Sequence, residues 1–196
     1  ESISKTPIGW NVVILKNGEQ SQINARVVID GTELGDVAKQ VGISYRIGMD
    51  SKHETGEDIA PEKANDIIQD LTYAAILKDY GSSVDATIPK PENYDPTPFL
   101  CTCAGKCEKD VLGRKLWDCD YMMKYGKLPN GYYMINWPIS GNDFYLNVIE
   151  MTRDERKIAL QKAKDFTKNY VYYLQTELGY NHLGIADDVY PTEDGF

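Results

Sequence analysis

The first residues whose types and spacing could do chemistry are Asp30-Gly31-Thr32-Glu33-Leu34-Gly35-Asp36. They follow the short β-branched run Ala25-Arg26-Val27-Val28-Ile29. A glycine turn after a buried strand lets backbone come close to a ligand, at the strand end where open α/β sheets hold their cofactors. Asp30 and Asp36 can accept hydrogen bonds from ribose or ribitol hydroxyls. The competing reading is a plain strand-turn-helix junction with Asp36 in the first helical turn. On chemistry alone, that reading comes first.

The second group is Cys101, Cys103, Cys107 and Cys119. Four clustered thiolates could bind zinc, but the paired Cys-x2-Cys spacing that metal sites favour is absent. Four cysteines allow three disulfide connectivities, and an exported protein could use one or two of them. Disulfides rank first, free thiols second, and zinc or an iron-sulfur cluster third, so no metal ligand is assigned.

The third group is His53 and His182, each with carboxylates nearby: Glu54 and Glu57 for one, Asp187 and Asp188 for the other. Histidine can move protons at neutral pH, although surface loop residues are the simpler reading. Asp187, Asp188, Glu193 and Asp194 could hold a hard cation through oxygen, but they lack the spacing of a calcium loop. A solvated acidic tail is expected there.

These residues must be positioned by elements that the patterning outlines. Asn17-Gly18 between two apolar runs predicts a hairpin. Residues 25–30 read as a strand buried on both faces. Leu34 to Val41 reads as a short helix stopped by Gly42, and residues 43–48 as a strand. Residues 50–60 read as loop, and Pro61 could open a short helix. Gln69 to Tyr80 fits a helix stripe or a strand face equally well. Pro89, Pro91, Pro96 and Pro98 make residues 85–98 an extended connection. Residues 132–137 read as a strand, and Pro138 to Asn142 as a turn. Thr152 to Leu178 is the clearest helix. It has a Thr152/Glu155 capping box, a stripe of Ala159, Ala163, Phe166, Tyr170 and Leu174, and Gly179 as the stop.

Composition excludes several classes of function. The net charge of −9, with no Lys/Arg cluster, leaves nothing to displace counterions from a nucleic acid. No apolar run reaches the ~18 residues of a membrane span. The 14 tyrosines fit half-buried sheet positions first and a saccharide- or aromatic-binding surface second. The chain starts Glu1-Ser2-Ile3, without Met or a signal sequence. It therefore reads as a processed or excised segment whose start does not reveal its compartment; a periplasmic or exported location is one expectation.

Val28 to Ala38, followed by Val41-Gly42-Ile43-Ser44-Tyr45-Arg46-Ile47-Gly48, resembles a stretch of the FAD-dependent oxidoreductases of polysaccharide-degrading bacteria. In that family the stretch reads as an Ile-Asp-Ala-Thr motif with Gly-Asp soon after, then Gly-Val-x-Tyr-x-x-Gly; this chain has Gly31 where Ala is usual. The resemblance continues through Gln69-Asp70-Leu71-Thr72-Tyr73, through Pro89-Lys90-Pro91-Glu92-Asn93-Tyr94-Asp95-Pro96, and through Asn142-Asp143, Arg153, Glu155-Arg156 and the long helix. It implies that residues 69–79 form a strand of a substrate domain. It also implies that Asp30, Gly31, Thr32, Gly35 and Asp36 lie near the FAD.

The family's Gly-x-Gly-x-x-Gly fingerprint is absent, since glycines 31, 35 and 42 lack its spacing. The chain is therefore expected to be the middle of such an enzyme, to bind FAD poorly alone, and to rely on the rest of the same polypeptide. No catalytic residue is placed. The implied fold is α+β, a largely antiparallel sheet packed on the 152–178 helix, with the 25–30 strand as a remnant of a nucleotide-binding α/β sheet. Residues 1–48 would adjoin the cofactor domain. Residues 49–196 would form a substrate-type domain with a cysteine loop at 100–120, acting on a small organic or saccharide substrate. Two rival readings are a non-catalytic carbohydrate-binding module, suggested by the tyrosines and Trp137, and a polysaccharide lyase, a label some family members carry as xanthan lyases.

Overall fold

A computed structural model describes residues 2–104, 106–110 and 113–196. Within the cysteine loop, Gly105, Val111 and Leu112 lie outside the described residues. The chain divides into two compact units, residues 1–68 and 69–196.

The first unit is built on an antiparallel meander of β1 (Ser2–Thr6), β2 (Gly9–Lys16) and β3 (Glu19–Ala25). Asn17 (φ 52°) and Gly18 (φ 82°) make the expected hairpin turn, because both residues tolerate positive φ. The register pairs Trp10 with Ala25 and Lys16 with Glu19. Two short helices follow, α1 (Asp36–Gln40) and α2 (Lys52–Thr55). The α1 helix ends before Gly42, as its sequence predicts. The α2 helix lies in the stretch read as loop, and its signal was the Ser51/Glu54 capping box.

Three expectations need correction here. The strand is 19–25, not 25–30. Residues 27–30 are irregular, and Val27 and Ile29 are 75% and 89% exposed. Residues 43–48 form no strand, and Pro61 opens no helix. In the two strand cases apolar patterning was present without a neighbouring strand to use it, and a strand exists only where its backbone finds a ladder partner; proline at 61 permits a helix start without supplying one.

The second unit carries the core. Strands β4 (Leu71–Thr72) and β5 (Ala75–Asp79) resolve the ambiguous 69–80 segment as strand. β4 pairs with β7 (Asp143–Phe144). β5 is central in a second antiparallel sheet, between β6 (Tyr132–Ile135) and β8 (Leu183–Ile185). α3 (Cys119–Gly126) is capped by the Asp118 side chain. α4 (Arg153–Thr176) has the predicted Thr152/Glu155 capping box, and beyond its end the Tyr180 N–H donates to the Leu174 carbonyl across the positive-φ Gly179.

The predicted stripe of α4 is buried at Ala159, Ala163, Tyr170 and Leu174. Phe99, Leu77, Ile135 and Trp137 pack with it in one cluster, and Phe166 and Tyr170 stack about Phe99 with centroids 5.0 and 5.1 Å apart. The proline-rich connection is irregular as expected, except for a 3-10 turn at Thr97–Phe99 that tucks Phe99 into the core. Small antiparallel sheets with one long helix make the fold α+β, as the sequence implies. Among the described residues, no helix is long and apolar enough to cross a membrane.

Candidate functional site

In the first unit, the predicted turn is held from within. Asp30 Oδ1 accepts from the Thr32 N–H at 2.9 Å and from Thr32 Oγ1 at 2.8 Å, while Oδ2 accepts from the Ala38 N–H at 2.8 Å. Thr32 Oγ1 in turn accepts from the Asp36 N–H at 2.8 Å. Gly35 takes φ 66°, the left-handed conformation that directs the chain into α1 and that costs other residues energy. Nothing crowds Gly31 where a Cβ would stand.

The structure thus brings Asp30, Gly31, Thr32, Gly35 and Asp36 into one knot. The amides of Ala38 and Thr32, with the Thr32 hydroxyl, hold the Asp30 carboxyl below its ordinary value, so it is anionic at neutral pH. These three hydrogen bonds hold both oxygens of the carboxylate.

Beside this knot lies a cavity of about 130 Å³ lined by Trp10, Val28, Asp30, Val37, Ala38 and Val41. Sites that enclose a whole ligand run to roughly 300–1,000 Å³. At about 130 Å³ this cavity is too small to enclose a whole ligand.

The second unit holds a larger cavity of about 570 Å³. Its walls come from the connection at residues 88–93, from Asp165, Lys168 and Asn169 on one face of α4, and from Ile185, Asp194 and Phe196. Asn169 is set by its own bonds: Nδ2 donates to the Asp165 carbonyl at 2.8 Å, and Oδ1 accepts from the Asp95 N–H at 3.3 Å. The Lys168 ammonium lies 2.7 Å from Asp194 and 5.4 Å from the Phe196 ring centroid.

The acidic residues of the C-terminal segment are exposed, as expected, but two of them are also ion-paired to the rest of the second unit. Asp194 is paired with Lys164 and Lys168, and Asp188 with Lys78 and the Tyr132 hydroxyl. Phe196 is buried. Sequence reasoning missed these anchoring lysines. The available signal was the i, i+4 spacing of Lys164 and Lys168 on the best-defined helix.

The cysteines pair as disulfides, Cys101–Cys107 and Cys103–Cys119, the alternative ranked first. Among the described residues, no group of three or more His, Cys, Asp and Glu side chains could hold a metal. His53 is exposed on α2, 3.5 Å from Glu62. His182 precedes β8, its ring 6.2 Å from Tyr180. Neither histidine lines either cavity.

Asn142, part of the resembling stretch, is structural. Its fully buried amide accepts from the Trp137 N–H and donates to the carbonyls of Ile135 and Tyr73 and to the Thr167 hydroxyl.

Residues 4–192 match the family model of the FAD dependent oxidoreductases. The chain belongs to the FAD-dependent oxidoreductase family. No curated protein and no solved structure matches it.

Proposed function

We propose that this chain is the substrate-side segment of a flavin-dependent oxidoreductase that acts on an organic substrate, with carbohydrate derivatives among the candidates. The observation that carries the reading is the family match across residues 4–192. In this reading residues 1–48 adjoin the cofactor domain, with Asp30, Gly31, Thr32, Gly35 and Asp36 turned to one polar edge of the FAD. Residues 49–196 form the substrate-type domain. Asp30 would accept a cofactor hydroxyl, and Gly31 would let it approach. The flavin, when bound, supplies the hydride chemistry.

The first unit supports the dependence on further polypeptide. Between residues 2 and 68 only Ser51 is buried, while Ile8, Val27, Ile29 and Ile59 are exposed. A segment of this size that buries so little apolar surface needs a partner surface to stay folded.

The test is the visible spectrum of the protein with its flanking sequence restored, after desalting. A flavin band bleached by a reductant is expected. A protein that stays colourless after incubation with FAD overturns the reading. For residues 1–196 alone, a flavin-fluorescence titration should show no micromolar binding.

A non-catalytic saccharide-binding module is the second reading. It is favoured by half-exposed Trp117, Tyr121 and Tyr125 gathered on buried Trp137. The same colourless outcome would move it to first place.

A further inference from the structure

The β3 strand (Glu19–Ala25) lies at the edge of its sheet, and every residue from Glu19 to Asn24 is exposed. Its sequence, Glu-Gln-Ser-Gln-Ile-Asn-Ala, holds no lysine and no proline, the residues with which proteins commonly blunt an open edge. The opposite edge, β1, is shorter and carries Lys5. Among the described residues, β3 has a ladder partner on its β2 side alone.

The hairpin fixes which backbone groups are left over. The two-residue Asn17-Gly18 turn is closed by Lys16 and Glu19, the position that exchanges both hydrogen bonds in a hairpin of this kind. Bonded and non-bonded pairs then alternate along the register, so Glu19, Ser21, Ile23 and Ala25 turn their N–H and C=O groups toward β2. Gln20, Gln22 and Asn24 turn theirs outward. Side chains alternate between the two faces as well, so these three residues also carry their carboxamides on one face.

Such a strand is complementary to itself. Laid antiparallel with Gln22 opposite Gln22 of a second copy, Gln20 of each copy meets Asn24 of the other. All the outward residues then fall in bonded pairs, and each pair exchanges both backbone hydrogen bonds. A carboxamide both donates and accepts, so the side chains of these pairs can bond across the seam too. On the other face Glu19 meets Ala25 and Ser21 meets Ile23, so no like charges are opposed.

We propose that β3 is a dimerisation edge: two copies of this chain pair their β3 strands antiparallel about Gln22 into one continuous sheet, in the order β1-β2-β3-β3-β2-β1. The two-fold pairing consumes both open β3 edges and leaves the short β1 edges outside, so assembly closes at two copies. One strand pair is a small interface, and the dimer is therefore reversible. This association is independent of the flavin reading.

The experiment is sedimentation velocity of the 196-residue chain from about 1 to about 500 µM, a span that brackets a weak reversible dimer, with amide hydrogen exchange at both ends of the range. The protein with its flanking sequence restored is measured alongside. A concentration-dependent shift from monomer to dimer is expected. The amides of Gln20, Gln22 and Asn24 should gain protection in the dimer, while those of Ser21 and Ile23, already bonded to β2, should not change. Gln22→Pro removes the central outward N–H and spares the β2 ladder, since an edge strand admits proline where its N–H faces solvent. It should weaken the dimer at least roughly tenfold. Gln22→Lys and Gln22→Glu serve if the proline variant does not fold. Each alone sets like charges against each other across the two-fold axis and should stay monomeric, whereas their equimolar mixture should dimerise. A wild-type chain that stays monomeric throughout overturns the proposal. So does a dimer indifferent to these substitutions in folded protein, or a charged mixture no more associated than its parts. A monomeric longer protein with the Gln22 amide already protected overturns it as well, because another strand of the same polypeptide then holds the edge.

Discussion

Lys168 Nζ lies 2.7 Å from Asp194 Oδ2, and Lys164 Nζ lies 2.8 Å from the other oxygen of the same carboxylate. One aspartate thus bridges two turns of α4 and pins the last residues of the described chain, whose Phe196 N–H donates back to it at 3.3 Å. Desolvation by burial works against ionisation, but the two ammonium groups prevail and hold the Asp194 carboxyl well below the usual carboxylate range. Asp194→Ala should cost about 1–2 kcal/mol, and less in high salt because the site is partly exposed. The folded carboxyl titrates below the unfolded one, so this stabilisation is complete above the ordinary value of 3.8 and is lost as pH falls through the folded value. Urea unfolding of wild type and variant at pH 7 and at pH 3, with and without salt, measures it. An equal gap at both pH values would contradict the assignment.

Asp30 should titrate in the same direction for a different reason, since its partners are the Ala38 and Thr32 amides and the Thr32 hydroxyl rather than cations. Its carboxyl resonance is expected to move with a midpoint below 3.8, and the Ala38 amide proton should follow the same curve. This contribution too is present above the ordinary aspartate range and vanishes as pH drops through the folded value. Asp30→Ala should abolish the Ala38 shift and loosen α1 while leaving the β2–β3 hairpin signals in place.

Asn142→Leu should be severe, because the buried Trp137 N–H and Ile135 carbonyl both lose the amide, while Tyr73 and Thr167 keep only their bond to each other. Each group left without a partner costs about 1–3 kcal/mol, so a loss of at least about 3 kcal/mol is expected in chemical denaturation. A mild effect would mean that water replaces the amide.

Converting Cys103 and Cys119 together to serine should lower stability by about 2–3 kcal/mol, the value for a loop of this length, since the pair closes 16 residues at the start of α3. Thiol titration of unreduced protein under denaturant should find no free thiol, and reduction should release four.

Local signals were legible in the sequence and non-local ones were not. The Asn17-Gly18 hairpin, the Thr152/Glu155 box, the α4 stripe and the strand near Tyr132 each rest on residues within a turn or two of one another. Val27 and Ile29 misled because apolarity tells that a segment gains from burial without telling which backbone will pair with it. The Asp30 knot closes within eight residues and was open to reading as a junction. The larger cavity joins residues 88–93, 165–169 and 185–196, a meeting that only the fold arranges. Thr167 and Gln175 were missed because each is a buried polar side chain whose partners, Tyr73 and Asn142 for one, Ala86, Ile88 and Leu183 for the other, lie elsewhere in the chain.

Those two side chains also fix how α4 can sit. Its aromatic and aliphatic contacts would tolerate a small rotation about the helix axis, because apolar surfaces slide over one another at little cost. Thr167 and Gln175 do not slide. One residue of slippage turns the helix by 100°, swinging both polar groups away from the carbonyls of Tyr73, Ala86 and Leu183 that they serve. The helix is keyed like a pin tumbler. Its apolar stripe decides that it docks, and two polar teeth decide the single angle at which it can.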